Sequence, residues 1–286
     1  MVSLQPWSPA LSMDHDGGDD TLYSTCVLLT PLCDLGDPKY RSATSRVFEA
    51  MDYVLSGMNA LTEVALKIVT NPDHMRDEVM IRYNKGKPLN EAFVLGVLRV
   101  HVPAHEKDKW IQTFSDVEKT RAELGQPPLI AKEASPENEY VMVLPLAERS
   151  LDQVMSMERL AGTNHAGIME VATFVAEGLQ YLHKEGLIHG DVKRKNVMRM
   201  SKAVWSLIDM DAAVKIGQPL GLKFSEAMIA PEYMQVLLPH RTNGRPAVGH
   251  PTITAVCCLA HNVHHPLDRC LLGSILRCVG LWSAAA

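Results

Sequence analysis

Apolar and polar positions alternate with a period of two over Glu63–Val69, which predicts a strand with Ala65 and Lys67 on one face and Val64, Leu66 and Ile68 on the other. Asn71-Pro72-Asp73 then reads as a helix start: an N-cap, a proline in the first turn and an early acid. Met75, Glu78, Val79 and Arg82 share one face of that helix. Phe93–Val102 is apolar and β-branched and is expected to be a strand, and so is Tyr140–Leu146, which runs into a bend. Ser150-Leu-Asp-Gln153 is a capping box opening the next helix. Over His165–Lys184, Ile168, Val171, Ala172, Val175, Leu179 and Leu182 form a helical stripe, and Gly186 stops it. Two apolar pairs follow, Leu187-Ile188 and Leu207-Ile208. The first reaches an acid at Asp191 and the second at Asp209, a pattern of buried strands ending in loops. Val197–Met200 and Val204–Ile208 form a hairpin bringing Asn196 and Asp209 together.

The remaining stretches are less regular. Residues 1 to about 25 mix Pro, Ser, Asp and Gly and are expected to form a loose tail. Residues 26–34 hold room for a short strand, placed at a sheet edge by Pro31. Residues 103–138 are polar and charged, with Pro127-Pro128 and Pro136, and read as an inserted surface loop with one helix around Phe114–Leu124. His101 and His105 flank its start and read as structural or exposed residues rather than ligands.

Composition narrows the class. A net charge of −5 leaves no electrostatic footprint for nucleic acid. No apolar run is long enough for a spanning helix, and the acidic first twenty residues are unlike a secretory signal. The six cysteines form no C-x-x-C and read as reduced thiols, so a cytoplasmic protein is expected.

The candidate chemistry lies around Asp191. Asp191 and Asn196 flank Lys193-Arg194-Lys195, and Asp209 follows on the next loop. An acid, a cation, an amide and a second acid suit a polyanion held through Mg²⁺.

These residues carry a resemblance. His189-Gly-Asp191-Val-Lys193-Arg-Lys-Asn196-Val resembles the catalytic loop of the protein kinase family, H-R-D-L-x-x-x-N. Asp209-Met210-Asp211 stands where that family has D-F-G, Ala230-Pro231-Glu232 matches A-P-E, and Val64-Ala65-Leu66-Lys67 matches V-A-I-K. The motifs occur in the family's order and cover about residues 35 to 235. The resemblance implies an α+β, two-lobed fold with a small antiparallel β N-lobe and a mainly helical C-lobe. Its parts would be a tail at 1–30, an N-lobe at 31–146, a C-lobe at 147–235 and an atypical tail at 236–286.

It also implies roles. Asp191 would accept or orient the proton of a substrate hydroxyl, and Lys193 would lie beside the transferred phosphoryl group, pointing to serine or threonine acceptors. Asn196 and Asp209 would chelate Mg²⁺, and Lys67, steadied by Glu78, would hold the α and β phosphates of ATP. Read from the residues alone, Glu78 has two candidate partners: Lys67, or Arg82 in a solvated i,i+4 pair. Val47, Ala65, Val143, Leu144 and Leu146 would line the nucleotide pocket, with Val143 limiting its depth and Leu144 and Leu146 offering backbone hydrogen bonds. Glu232 would be structural. The implied partners are ATP and a protein substrate; oligomeric state is left open.

Departures from the pattern keep a second function in view. Tyr40–Phe48 lies where kinases carry a glycine-rich roof, but Ser42 and Ser45 stand at the second and third glycine positions. The segment is either a substitute roof or a plain hairpin that covers no nucleotide. Gly190 replaces the arginine that meets a phosphorylated activation loop, and Asp211 replaces the last glycine of D-F-G. Ser225 and Thr242 are candidate phosphosites. After Glu232 the family's helices give way to a Cys- and His-rich stretch, in which Cys258, His261, His265 and Cys270 invite a zinc reading without fitting a standard finger. A shortened C-lobe is expected. A Ser/Thr protein kinase is the first reading, and a pseudokinase acting as a nucleotide- or protein-binding module is the second.

Overall fold

A computed structural model describes residues 26–28, 38–52, 62–132, 135, 139–158, 160, 164–201 and 204–218. Ala230-Pro231-Glu232, the two candidate phosphosites and the Cys/His-rich stretch lie outside the described residues, as does the segment before Cys26.

The first lobe is an antiparallel sheet. Its strands are β1 (Cys26–Leu28), β2 (Tyr40–Arg41), β3 (Ser45–Asp52), β4 (Thr62–Val69), β5 (Arg99–His101) and β6 (Tyr140–Pro145). The order is β1-β3-β4-β6-β5, with β2 continuing along β3 beyond β1, so the expected short strand does sit at an edge. The period-two pattern splits the sheet into two faces. Phe48, Ala50, Val64, Leu66, Ile68, Val141 and Val143 close the outer face. On the inner face Lys67 pairs with Val47 and Met142, and Ala65 with Leu144.

Helix α1 (Pro72–Arg82) packs on that inner face. Asn71 Oδ1 accepts from Asp73 N–H at 2.9 Å and His74 N–H at 3.4 Å, the cap its position requires. Met75, Glu78, Val79 and Arg82 are all buried, as the spacing predicts.

The 103–138 segment departs from the expected surface loop. It folds into α2 (Lys107–Thr113) and α3 (Ser115–Glu123), the second being the helix expected around Phe114–Leu124; Trp110, Val117 and Phe114, which joins the two helices, pack with Met75, Val79 and Tyr83 in one buried cluster. Arg121 Nη1 donates to Tyr83 Oη at 2.6 Å and to Val97 O at 3.2 Å, while Nη2 and Nε reach the carbonyls of Leu98 and Pro127. Glu118 accepts from the N–H groups of Leu129 and Ile130. The insertion therefore shares a buried cluster with α1 and the inner face of the sheet. His101 is buried beside Arg99, while His105 is exposed. The expected strand from Phe93 is also shorter. Only Arg99–His101 joins the sheet, because residues 93–95 bond to Leu207 instead: Leu207 N–H donates to Phe93 O at 2.8 Å and Leu95 N–H to Leu207 O at 2.9 Å.

The second lobe gathers around α5 (His165–Lys184), with α4 (Leu151–Met157) capped by the predicted Ser150–Gln153 box. Ile168, Val171, Ala172, Val175 and Leu182 of α5 pack with Leu151, Val154, Leu187, Val197, Trp205 and Leu207. Four short strands frame the loops that follow. They are β8 (Leu187–Ile188), β9 (Val197–Ser201), β10 (Val204–Leu207) and β11 (Val214–Lys215). A two-residue strand, β7 (Arg149–Ser150), pairs with β9. Pairing of β8 with β11 and of β9 with β10 brings the Asp191 loop and the Asp209 loop side by side.

Candidate active site

Four charged side chains from three elements meet where the lobes face each other. Lys67 of β4 is 8% exposed, and its Nζ donates to Glu78 Oε1 at 3.0 Å, Glu78 Oε2 at 2.9 Å and Asp209 Oδ1 at 2.8 Å. Burial alone would lower the Lys67 pKa, but the Glu78 and Asp209 carboxylates outweigh it and hold the ammonium above the ordinary lysine value. Burial works against Asp209 in the opposite sense, and Lys67, with Arg82 and Lys193, keeps its pKa below the usual carboxylate value. Glu78, 2% exposed, takes both of the partners open to it. Arg82 Nη2 lies 3.0 Å from Glu78 Oε1, and that pair is buried rather than solvated, because α1 turns this face into the lobe.

The Asp191 loop is pinned from below. His189, 1% exposed, bonds through Nε2 to Ile208 O at 3.0 Å, and its Nδ1 accepts from Asp191 N–H at 3.4 Å. Asn196 Nδ2 donates to Asp191 O at 2.8 Å and Oδ2 at 3.2 Å. Lys193 Nζ donates to the same Oδ2 at 2.5 Å. Burial disfavours the Lys193 ammonium, and Asp191 outweighs it, so its pKa rises. Ile208 N–H donates to Asn196 O at 3.0 Å, which sets Asn196 beside the peptide that leads into Asp209. Asp209 itself is left-handed, at φ 61°, a strained conformation for a non-glycine residue and one that concentrates at functional sites.

Gly190 explains itself locally. Its φ is +80°, and a Cβ there would stand 2.2 Å from Ala212 O. An arginine in this position would collide with the Asp209–Ala212 turn, so the loop that follows the glycine depends on it.

The pocket-lining expectations divide. Val47 and Ala65 share Lys67's face, and so does Leu144, which opposes Ala65. Leu146 lies just past the end of β6, where the chain crosses to the second lobe. Val143 is not brought to the cleft. It opposes Leu66 and is packed in the outer-face cluster. Met142, opposite Lys67, occupies the inner position instead, and the sequence reading was one residue out of register. Strand periodicity carries the signal that finds Met142, because it lies two residues before Leu144 on the same face.

Above the cleft, the β2–β3 turn closes on itself. Ser42 Oγ accepts from Thr44 N–H at 3.3 Å and Ser45 N–H at 3.0 Å and shares a 3.0 Å hydrogen bond with Ser45 Oγ. Thr70 tethers the turn by donating from both N–H and Oγ1 to Thr44 O at 3.1 Å.

Comparison with known families agrees with this geometry. Residues 114–242 match the family model of the protein kinase domain. The matched stretch, a little under half of the chain, is similar to the protein kinase domain. It includes the loop from His189 to Asn196 and the Asp209 turn, while Lys67 and Glu78 lie ahead of it and join it through the Lys67–Asp209 ion pair. No curated protein matches the chain.

The donor set of this kinase-like cleft fits a magnesium-bound triphosphate. Asn196 and Asp209 offer one amide and one carboxylate, the small protein share expected of Mg²⁺ when phosphate oxygens and water complete its shell. Among the described residues there is no cage of three or more His, Cys, Asp or Glu side chains of the kind an all-protein metal site needs. No helix among them is long and apolar enough to cross a membrane.

Proposed function

We propose that this domain binds ATP with Mg²⁺ and transfers the γ-phosphoryl group to a serine or threonine hydroxyl of a protein substrate. The observation that carries the reading is Lys67 held between Glu78 and Asp209, since it sets a phosphate-binding cation beside a metal-ligating carboxylate.

Each residue has a physical task. Lys67 neutralises phosphate oxygens deep in the cleft, and Glu78 keeps its ammonium aimed there. Asn196 and Asp209 would hold Mg²⁺, which when bound draws charge from the phosphoryl oxygens. Asp191, fixed by Asn196 and by the His189 contact to its backbone, receives the proton of the incoming hydroxyl. Lys193, now paired with Asp191, stands ready for the charge that develops on the transferred group. Inner-face residues Val47, Ala65, Met142 and Leu144 offer apolar walls for a base. An intracellular, cytoplasmic setting fits such a substrate.

The Asp191→Ala variant is the test. It should bind magnesium nucleotide as the parent does and lose transfer, and equal turnover in both proteins would refute the assignment. The self-closed Ser42–Ser45 turn favours a second reading, a nucleotide- or protein-binding pseudokinase, because its amides already have partners. Magnesium-nucleotide binding without transfer by the parent chain would select that reading.

A further inference from the structure

Arg82 is the one member of the buried charge cluster to which the proposed reaction gives no task. It is 3% exposed, and its side chain bonds to Glu78 and to Leu95, a residue tied to the strand before Asp209. Its Nη2 lies 3.0 Å from Glu78 Oε1, its Nη1 donates to Glu78 O at 2.9 Å, and its Nε donates to Leu95 O at 3.0 Å. Leu95 in turn donates its N–H to Leu207 O at 2.9 Å, two residues before Asp209. One side chain thus ties the Glu78 helix to the strand that delivers Asp209.

The charges explain why an arginine is useful here. Lys67 and Arg82 balance Glu78 and Asp209, so the cluster is neutral as it stands. If Lys67 turns toward a phosphate, Glu78 loses its strongest partner while remaining buried, and a buried carboxylate without a partner is costly. Arg82 is already bonded to that carboxylate and stays in place. Its planar fork meets one carboxylate and two carbonyls at once, which a lysine or a neutral side chain could not do.

We infer that Arg82 is a positioning residue for nucleotide binding: it holds Glu78 when Lys67 engages phosphate and keeps α1 in register with the Asp209 strand through Leu95. This rests on the proposed Mg²⁺–ATP site. Arg82 touches no substrate and acts through Glu78 and Leu95.

The experiment measures binding of the non-hydrolysable ATP analogue AMP-PNP by calorimetry, with Mg²⁺ and with EDTA, on the full chain. The variants are Arg82→Met, Arg82→Lys, Glu78→Gln and the double variant Glu78→Gln/Arg82→Met, each at a temperature where its melting curve shows it folded. Arg82→Met should weaken the magnesium complex by about 10–100-fold, the range seen when a group that orients a ligand is removed, and should shrink the gain that Mg²⁺ confers. Arg82→Lys should fall between parent and Arg82→Met. The double variant should be little worse than the poorer single variant, since both act through one carboxylate. Parent-like binding by folded Arg82→Met overturns the inference. Should Arg82→Met not fold, parent-like binding by Arg82→Lys overturns it instead. A parent chain that binds without transferring phosphate removes the catalytic reading but leaves this one standing, whereas a parent chain that does not bind removes both.

Discussion

Lys67 and Asp209 are separated by 142 positions in the chain and by 2.8 Å in space. The contact closes the distance between the two lobes. The strand carrying Lys67 is positioned by its sheet, and the turn carrying Asp209 by its bonds to the His189 loop, so the ion pair reports that both are in place. Replacing Lys67 with Met removes the cation that phosphate would meet, and transfer should fall by at least about 100-fold. Stability should suffer less than for an ordinary broken buried pair. Glu78 keeps Arg82, so the cost should be about 1–3 kcal/mol rather than about 3–5 kcal/mol. Steady-state kinetics and a denaturant melt check the two halves. A collapse of the fold with Lys67→Met would show that Arg82 does not sustain Glu78.

Met142 and Val143 lie next to each other on β6 and face opposite sides of the sheet. Met142→Ala opens space beside Lys67 and should change the affinity for magnesium nucleotide. Val143→Ala removes packing from Leu66 and the outer face and should lower the melting temperature with nucleotide affinity unchanged. Binding isotherms for the two variants decide this, and a shift in affinity for Val143→Ala alone would reverse the assignment of faces.

That one-residue slip shows what the pattern of the chain could and could not tell. Regular segments were readable because burial repeats within them. Ala65 and Lys67 separate from Val64, Leu66 and Ile68 in both sequence and structure, and α5 runs over His165–Lys184 as its stripe predicts. Asn71 and Ser150 cap the helices they announce. The motif residues Asp191, Asn196 and Asp209 come together because their spacing encodes a hairpin. Other features depend on neighbours distant in the chain. The helix around Phe114–Leu124 was readable and is α3, but the charged residues between Trp110, Phe114, Val117 and Arg121 hid that their stripe is buried and that a second helix, α2, precedes it. Phe93–Leu95 looked like strand because it is apolar, yet its hydrogen bonds go to Leu207. Glu78 offered two partners on paper, and only the tertiary structure shows that it uses both.

Gly190 permits a direct test of a backbone requirement. At φ +80° any side chain is strained, and the Cβ of alanine would meet Ala212 O at 2.2 Å. Gly190→Ala should cost stability of the order of 1–3 kcal/mol and reduce transfer, because the same shift moves Asp191. Gly190→Arg should do at least as much harm and should not confer control by phosphorylation. Melting curves and kinetics of the alanine variant are sufficient, and a parent-like protein would mean that the loop tolerates another path.

His189 predicts how the Asp191 loop responds to acid. The ring uses Nε2–H as a donor to Ile208 O and Nδ1 as an acceptor from Asp191 N–H, which only the neutral tautomer can do. Burial lowers its pKa below the ordinary 6.5, against the opposing pull of Asp209 and Asp191. In the unfolded chain the ring binds a proton near pH 6.5, while the folded protein resists until lower pH. The unfolded state therefore holds more protons in this window, and stability must rise with pH across it. The contribution is complete above 6.5 and is lost as pH falls toward the depressed folded value. His183, also lowered by burial, titrates in the same sense. The melting temperature should drop between pH 7.5 and 5.5, and the drop should be smaller in His189→Asn, whose side chain carries no proton in this range. Parallel curves for the two proteins would show that His183 or another group carries the acid response, and a flat curve for the parent would show that His189 charges without cost.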